Sequence, residues 1–175
     1  MNKIPITVIV SVKNEALNLP SCLEKLKRFD QIIVVDSGST DDTIAIAANK
    51  GAEVLQFKWN GKFPKKRNWA LQNANLRHEW ILFLDADEFV TEEFVSEVGF
   101  KTQDPNYNGY TIQFENYFMG RKLKYGYGFQ KSALFKKSKG AYEKIEEDLW
   151  SHLDMEVHEH PIIEGKVGVI KAKVI

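Results

Sequence analysis

Hydrophobic positions in residues 1–100 switch repeatedly between a strand period and a helix period. Ile6-Thr7-Val8-Ile9-Val10-Ser11-Val12 is a β-branched run stopped by Lys13-Asn14-Glu15, the pattern of a buried strand opening into a polar loop. From Asn18 to Arg28, Leu19, Cys22, Leu23 and Leu26 recur at helical spacing. Ile32-Ile33-Val34-Val35 predicts a second strand that ends at Asp36. Ser39-Thr40-Asp41-Asp42 reads as a capping box, with Ser39 and Asp42 capping a helix over Thr43 to Asn49 that Gly51 closes. A strand follows at Glu53 to Phe57, a helix at Lys65 to Ala74, a strand at Trp80 to Leu84, and a helix capped by Thr91 and running through Val98.

This alternation predicts an α/β fold with a mostly parallel, Rossmann-like central sheet and helices on both faces, where ligands bind beyond the carboxyl ends of the strands. Three of those ends carry polar clusters: Asn14-Glu15, Asp36-Ser37-Gly38-Ser39 and Asp85-Ala86-Asp87. The topology lines all three along one edge. After Phe100 the pattern changes to an alternating strand at Gly109 to Tyr117, a glycine-aromatic loop at Tyr125 to Phe129, and a short strand at Ala133 to Phe135. An acidic segment, Glu143 to Leu153, precedes a final strand at Val167 to Ile175, so a small C-terminal β region is expected.

The 175 residues suit a single domain with one continuous core, and neither a repeat nor a low-complexity linker interrupts them. Lys+Arg 24 against Asp+Glu 24 leaves no global field that would draw in nucleic acid. The charge is segregated locally instead. Arg121, Lys122, Lys124, Lys131, Lys136, Lys137 and Lys139 form a basic stretch, and the segment from Glu143 to Glu164 is acidic. The single cysteine, Cys22, lies in an amphipathic stretch and reads as a buried structural thiol. With no signal-peptide pattern and only strand-sized apolar runs near the start, a cytoplasmic location is expected.

Three acids, Asp85, Asp87 and Glu88, crowd together directly after an apolar strand. Like charges that close repel unless a cation lies between them, and paired carboxylates are hard oxygen ligands for Mg2+ or Mn2+. The bland alternative is a solvated turn. Asp36 also follows an apolar strand, where a carboxylate can accept from a base N–H or a ribose hydroxyl, and Gly38 lets the backbone approach closely. A phosphoacceptor aspartate is a distant second reading, since Lys13-Asn14-Glu15 lacks the acidic pair such a domain needs. The chain contains no Gly-x-Gly-x-x-Gly and no P-loop motif, which counts against a dinucleotide-dependent dehydrogenase and a P-loop enzyme.

Taken in order, Val12-Lys13-Asn14-Glu15-Ala16, Val34-Val35-Asp36-Ser37-Gly38-Ser39-Thr40-Asp41, Lys66-Arg67-Asn68-Trp69-Ala70-Leu71 and Leu84-Asp85-Ala86-Asp87-Glu88 resemble the successive motifs of the family 2 inverting glycosyltransferases with the GT-A fold. Asn116-Tyr117-Phe118-Met119-Gly120-Arg121, Leu134-Phe135 and Val157-His158-Glu159 look like the later signatures of its lipopolysaccharide-core glucosyltransferase-like branch. The resemblance implies one glycosyltransferase domain over residues 1–175, with a nucleotide-sugar-binding half in 1–100 and an acceptor-side half in 101–175.

It also implies residue roles. Glu15 and Asp36 would read the nucleoside, with Asp36 hydrogen-bonding the base. Asp85 and Asp87 would form the metal motif for Mn2+ or Mg2+, with Asp87 ligating the ion directly, Asp85 also facing the donor, and His158 either a further ligand or a packed neighbour. Arg67, preceded by Lys65 and Lys66, would contact the donor phosphates; for the two lysines a solvated helix face is an equal alternative. Inversion requires a general base for the acceptor hydroxyl. The resemblance makes it Glu159, with Asp148 and Asp154 as substitutes because Tyr142 to Asp154 is longer and more acidic than the family pattern. That pattern continues into a further helical region, whereas this sequence stops at Ile175, so a shortened acceptor side is expected.

The function expected is transfer of a sugar, with inversion, from a uridine-linked nucleotide donor to a cell-envelope saccharide such as lipopolysaccharide core. The competing class is a non-catalytic GT-A-like module that binds a nucleotide or saccharide. The stretch Arg121 to Lys139 admits three readings: a solvated flank, a site for an anionic saccharide, or a patch on anionic headgroups near a lipid-linked acceptor, with the protein peripheral at the inner face of the membrane. Nucleic acid is not expected as a partner, because the acidic segment opposes it.

Overall fold

A computed structural model describes residues 3–115, 117–118, 121–122, 130–144 and 159–175. The elements run β1 (Ile4–Val12), α1 (Leu19–Lys25), β2 (Phe29–Asp36), α2 (Thr43–Asn49), β3 (Glu53–Gln56), α3 (Lys66–Asn73), β4 (Trp80–Asp85), α4 (Glu92–Lys101), β5 (Gly109–Phe114), β6 (Tyr117–Phe118), β7 (Arg121–Lys122), β8 (Gln130–Lys136), β9 (Gly140–Tyr142), β10 (Pro161–Ile163) and β11 (Val167–Val174). Seven of the strands form one sheet in the order β11-β5-β8-β4-β1-β2-β3. Only β8 runs against its neighbours, so the sheet is mostly parallel as the alternation requires.

The β-branched and leucine runs become the middle of this sheet. Val8, Ile9, Val10, Val34, Val35, Ile81, Leu82 and Leu84 are all buried, as central parallel strands must be when both faces are covered. Each such side chain contributes roughly 1.5–3 kcal/mol on leaving water, so the core is anchored on the strands whose ends carry the polar clusters. Among the described residues of 101–175, strands β5, β8 and β11 extend the central sheet, and the two-stranded pairs β6-β7 and β9-β10 form small β elements outside it.

Several boundaries differ from the periodicity. Helix α1 ends at Lys25 rather than Arg28 because the Leu26 amide turns back to the Cys22 and Leu23 carbonyls. Strand β2 starts at Phe29, where parallel pairing with Ile4 of β1 begins. Strand β8 extends beyond Ala133–Phe135 because it pairs with β4 on one side and β5 on the other. Thr91 caps α4 as expected, its hydroxyl accepting from the Phe94 amide at 3.1 Å. On the outer edge of the sheet, the Glu97 carboxylate of α4 accepts from the Lys171 and Ala172 amides, where β11 departs from its pairing with β5.

Candidate active site

Register brings the strand ends together: Val12 pairs with Asp36 across β1 and β2, and Ser11 pairs with Asp85 across β1 and β4. All three polar clusters therefore leave the sheet side by side. The first two are hydrogen-bonded into one unit. The Asn14 amide donates to Ser39 Oγ (2.8 Å), the Thr40 amide to Asn14 Oδ1 (2.8 Å), and the Glu15 amide to Thr43 Oγ1 (2.8 Å). Asn14 takes a φ of 56°, a left-handed conformation that asparagine tolerates better than most residues.

Asp36 is fully buried, and its carboxylate is used by its own turn. The Gly38 and Ser39 amides both donate to Oδ2 at 3.0 Å, and the Ser39 hydroxyl donates to Oδ1. Gly38 permits this wrap because its φ is 81°. The aspartate expected to meet a base is also the acceptor that fixes the turn. Ser37 Oγ, beside it, is buried with no hydrogen-bond partner among the described residues. Ser39 and Asp42 do not cap α2 as expected: Ser39 serves Asp36, Asp42 makes no side-chain cap, and Asp41 accepts from the Thr43 amide at 3.1 Å.

The third cluster is a tight turn in which the Glu88 amide donates to the Asp85 carbonyl at 3.1 Å and the Asp85 amide donates to Glu88 Oε2 at 3.0 Å. Asp87 is exposed, Asp85 half-buried, and Ala86 buried between them. Lys131 Nζ, from β8, lies 2.5 Å from Glu88 Oε1 and 3.6 Å from Asp85 Oδ2. Burial pushes the Glu88 carboxyl above its ordinary value, and Lys131 acts against that rise. Cys22 lies beneath, its Sγ 3.9 Å from the Glu88 carbonyl. Its thiol is pushed up to about 12, first by burial and then by the negative charges of Glu88, Asp87, Asp85 and Glu15. Of those four acids, Asp85 ends β4, Asp87 and Glu88 follow it, and Glu15 lies in the loop after β1.

A second constellation forms at the start of α3. Arg67 lies 3.5 Å from Glu159 and its guanidinium stacks 5.1 Å from the Tyr142 ring. Asn68 Nδ2 donates to the Tyr142 carbonyl (2.8 Å) and the Tyr142 amide donates to Asn68 Oδ1 (3.0 Å), which fastens α3 to β9. Lys65 and Lys66 are buried, so the solvated-face alternative for them fails; Lys65 Nζ sits 4.9 Å from the Trp59 ring. The Tyr142 hydroxyl is held well above its ordinary value by burial, with Arg67 lowering it and Glu159, Asp85 and Glu88 raising it. Tyr142 therefore stands within electrostatic reach of both the Arg67–Glu159 pair and the acidic turn. Phe83, two residues before Asp85, packs edge-on against it at 5.2 Å.

Of the expected site residues, Glu15, Asp36, Asp85 and Asp87 gather at one sheet edge, and Arg67 and Glu159 meet each other. Asp148, Asp154 and His158 lie outside the described residues. Among the described residues no group of three or more His, Cys, Asp or Glu side chains is placed to hold a metal alone. Asp85 and Asp87 still fit a hard cation that takes its other oxygens from a diphosphate and water, as Mg2+ usually does. Lys131, Asn68 and Tyr142 were not expected here. The basic stretch is not an open patch where it is described. Lys131 pairs with Glu88, Lys136 with Asn108, Lys137 with the Leu76 carbonyl and Lys139 with Glu164. No helix among the described residues is long and apolar enough to cross a membrane.

A mostly parallel sheet with polar loops converging at its carboxyl edge is the arrangement of the GT-A glycosyltransferases, and solved members of that class superpose on this chain. Residues 7–152 match the family described as Glycosyl transferase family 2, and the chain belongs to that family. It is 31% identical over 132 residues to an uncharacterized glycosyltransferase of Rickettsia typhi, which covers 74% of this chain and 42% of that protein. It is 37% identical over 108 residues to a TPR repeat-containing protein of Synechococcus elongatus, covering 61% of this chain and 26% of that one. Staphylococcus aureus TarS 1–349 in complex with UDP-GlcNAc aligns with a TM-score of 0.54 at 27% identity, over 71% of this chain and 37% of its own. Mycobacterium tuberculosis glucosyl-3-phosphoglycerate synthase in complex with Mn2+, UDP and glucosyl-3-phosphoglycerate aligns with a TM-score of 0.50 at 26% identity, over 66% of this chain and 45% of its own. The chain thus spans less than half the length of each of these relatives.

Proposed function

We propose that the chain transfers a sugar, with inversion, from a UDP-linked donor to a cell-envelope saccharide acceptor such as lipopolysaccharide core. The observation that carries this reading is the register that brings the loops bearing Glu15, Asp36 and Asp85-Ala86-Asp87 side by side at the carboxyl edge of the sheet. A family 2 domain and relatives solved with UDP-GlcNAc, or with UDP and Mn2+, support a nucleotide-sugar donor there.

In this reading the linked Asn14–Glu15 and Asp36–Ser39 loops flank the nucleoside. Asp36 holds the turn and is the residue we assign to the nucleoside base. Asp85 and Asp87 would hold Mn2+ or Mg2+, which offsets the charge developing on the leaving diphosphate. Arg67 lies at the first turn of α3, where backbone amides and its own guanidinium favour an anion. Glu159 is the base we assign, with Asp148 and Asp154 next in order. Its carboxylate is buried and faces Arg67, so Arg67 also fixes where that oxygen points.

Titration of UDP by calorimetry with Mn2+, and again with EDTA, tests the donor reading, with GDP and dTDP as comparisons. Metal-dependent, uridine-selective binding is expected; no binding by the folded protein would overturn it. One observation favours a second reading, a binding module without turnover. The carboxylate assigned as base is already paired with a guanidinium. UDP binding with no transfer or hydrolysis of the UDP-sugar would select that reading.

A further inference from the structure

Continuing the antiparallel register of β4 and β8, in which Trp80 faces Lys136 and Leu82 faces Leu134, brings Lys131 opposite Asp85. The side chains make that contact, with Lys131 Nζ 3.6 Å from Asp85 Oδ2. Glu88 holds the ammonium from the other side at 2.5 Å, and its remaining oxygen is committed to the Asp85 amide. Glu88 is therefore a clamp for the lysine rather than a ligand for an ion. The stem of Lys131 is steadied too, its Nζ lying 4.9 Å from the Phe114 ring.

We propose that Lys131 is a built-in counter-cation that makes metal uptake at Asp85 conditional on the diphosphate. This deepens the donor-site reading and rests on it for the identity of the metal ligands. With the lysine in place, the charge of Asp85 is already offset, and a divalent ion approaching alone meets a positive charge beside its ligand oxygen. A diphosphate adds negative charge to the same space, so the ion and the ammonium can then share it. Lysine suits this role because its charge sits on a flexible four-carbon stem that can shift without moving the backbone. The acids after β4 are crowded because one cation is supplied by the chain and a second arrives with the donor.

The test is calorimetric titration of MnCl2, without nucleotide, into the wild-type protein, Lys131→Met and Lys131→Arg, each checked for folding by circular dichroism. Lys131→Met is expected to bind Mn2+ at least tenfold more tightly than wild type, and Lys131→Arg to behave as wild type. Equal affinity in wild type and Lys131→Met, or tightening in Lys131→Arg as well, would overturn the proposal. Should Lys131→Met fail to fold, the wild type alone decides. Its Mn2+ affinity is expected to rise at least tenfold when UDP is present, and equally tight binding without UDP overturns the idea. A wild type that does not bind UDP would overturn the donor reading, and the nucleotide-free arm would still judge the role of Lys131.

Discussion

Arg67 on α3 and Glu159, the first described residue before β10, form an ion pair at 3.5 Å with both side chains largely withdrawn from water. Breaking a buried pair by removing one member costs roughly 3–5 kcal/mol. Arg67→Leu is therefore expected to lower urea stability by about that much, and the double variant Arg67→Leu/Glu159→Leu to recover part of the loss. Glu159→Gln keeps a polar partner for Arg67, so it is expected to bind UDP normally and to lose sugar transfer. Transfer at the normal rate by this variant moves the base to Asp148 or Asp154.

The two hydrogen bonds between Asn68 and the backbone of Tyr142 fasten the start of α3 to β9. Both groups are buried, and a buried amide or carbonyl left unpaired costs about 1–3 kcal/mol. Asn68→Ala is expected to lower stability in urea by roughly 2–4 kcal/mol, and Asn68→Asp to lose no less, because its carboxylate keeps the Tyr142 amide but sets a buried acceptor against the Tyr142 carbonyl. A change under half a kcal/mol would mean that water replaces both bonds.

The sheet edge was legible because its signal is local: a β-branched run that ends in acids reads the same in sequence and in space. The register of β1 with β2 and β4 then sets Val12 beside Asp36 and Ser11 beside Asp85. What the sequence hid were contacts over long separation. Nothing in the sequence near Asp85 points to Lys131, and nothing near Arg67 points to Tyr142; these pairs exist only because β8 and β9 fold back beside β4 and α3. The fate of Asp36 was hidden differently. A carboxylate followed by Ser37-Gly38-Ser39 can serve a ligand, its own turn or both, and the part it plays in the turn shows only in the conformation at Gly38.

Cys22 reports on the floor beneath the acidic turn. With its thiol pushed up to about 12 by burial and by the acids around it, the thiolate that reacts with alkylating agents is scarce. At pH 8 only about one thiol in ten thousand is ionised, so iodoacetamide labelling of the folded protein is expected to be slower than in urea by at least a hundredfold. Comparable rates in the two conditions would mean that the α1 face opens readily.

At the opposite end of the sheet His78 Nε2 lies 2.7 Å from Asp30 Oδ2, and this bond, more than any other contact, holds the Asp30 carboxyl below its ordinary value. A depressed carboxylate contributes stability that is present above its unfolded-state value, near pH 4, and is lost as the pH falls through the folded-state value. Asp30→Asn is expected to flatten the fall in Tm between neutral and acid pH while changing UDP binding little, because the pair lies at the end of the sheet opposite the strand ends proposed to hold the donor. An unchanged Tm profile would assign the acid sensitivity to other carboxylates.

Asp87 gives the sharpest test of the metal motif, because its side chain is exposed and makes no ion pair among the described residues. Asp85, by contrast, is tied to Lys131 and through its backbone to Glu88, so replacing it disturbs the turn as well as any ion. Asp87→Asn keeps the shape and removes one hard oxygen charge. Its melting temperature should stay within about 2 °C of wild type, since surface changes of this kind rarely exceed half a kcal/mol. UDP affinity in Mn2+ should then fall by at least tenfold, to the level wild type shows in EDTA. An affinity in Mn2+ equal to that of wild type would leave Asp85 and residues beyond Tyr142 to hold the ion.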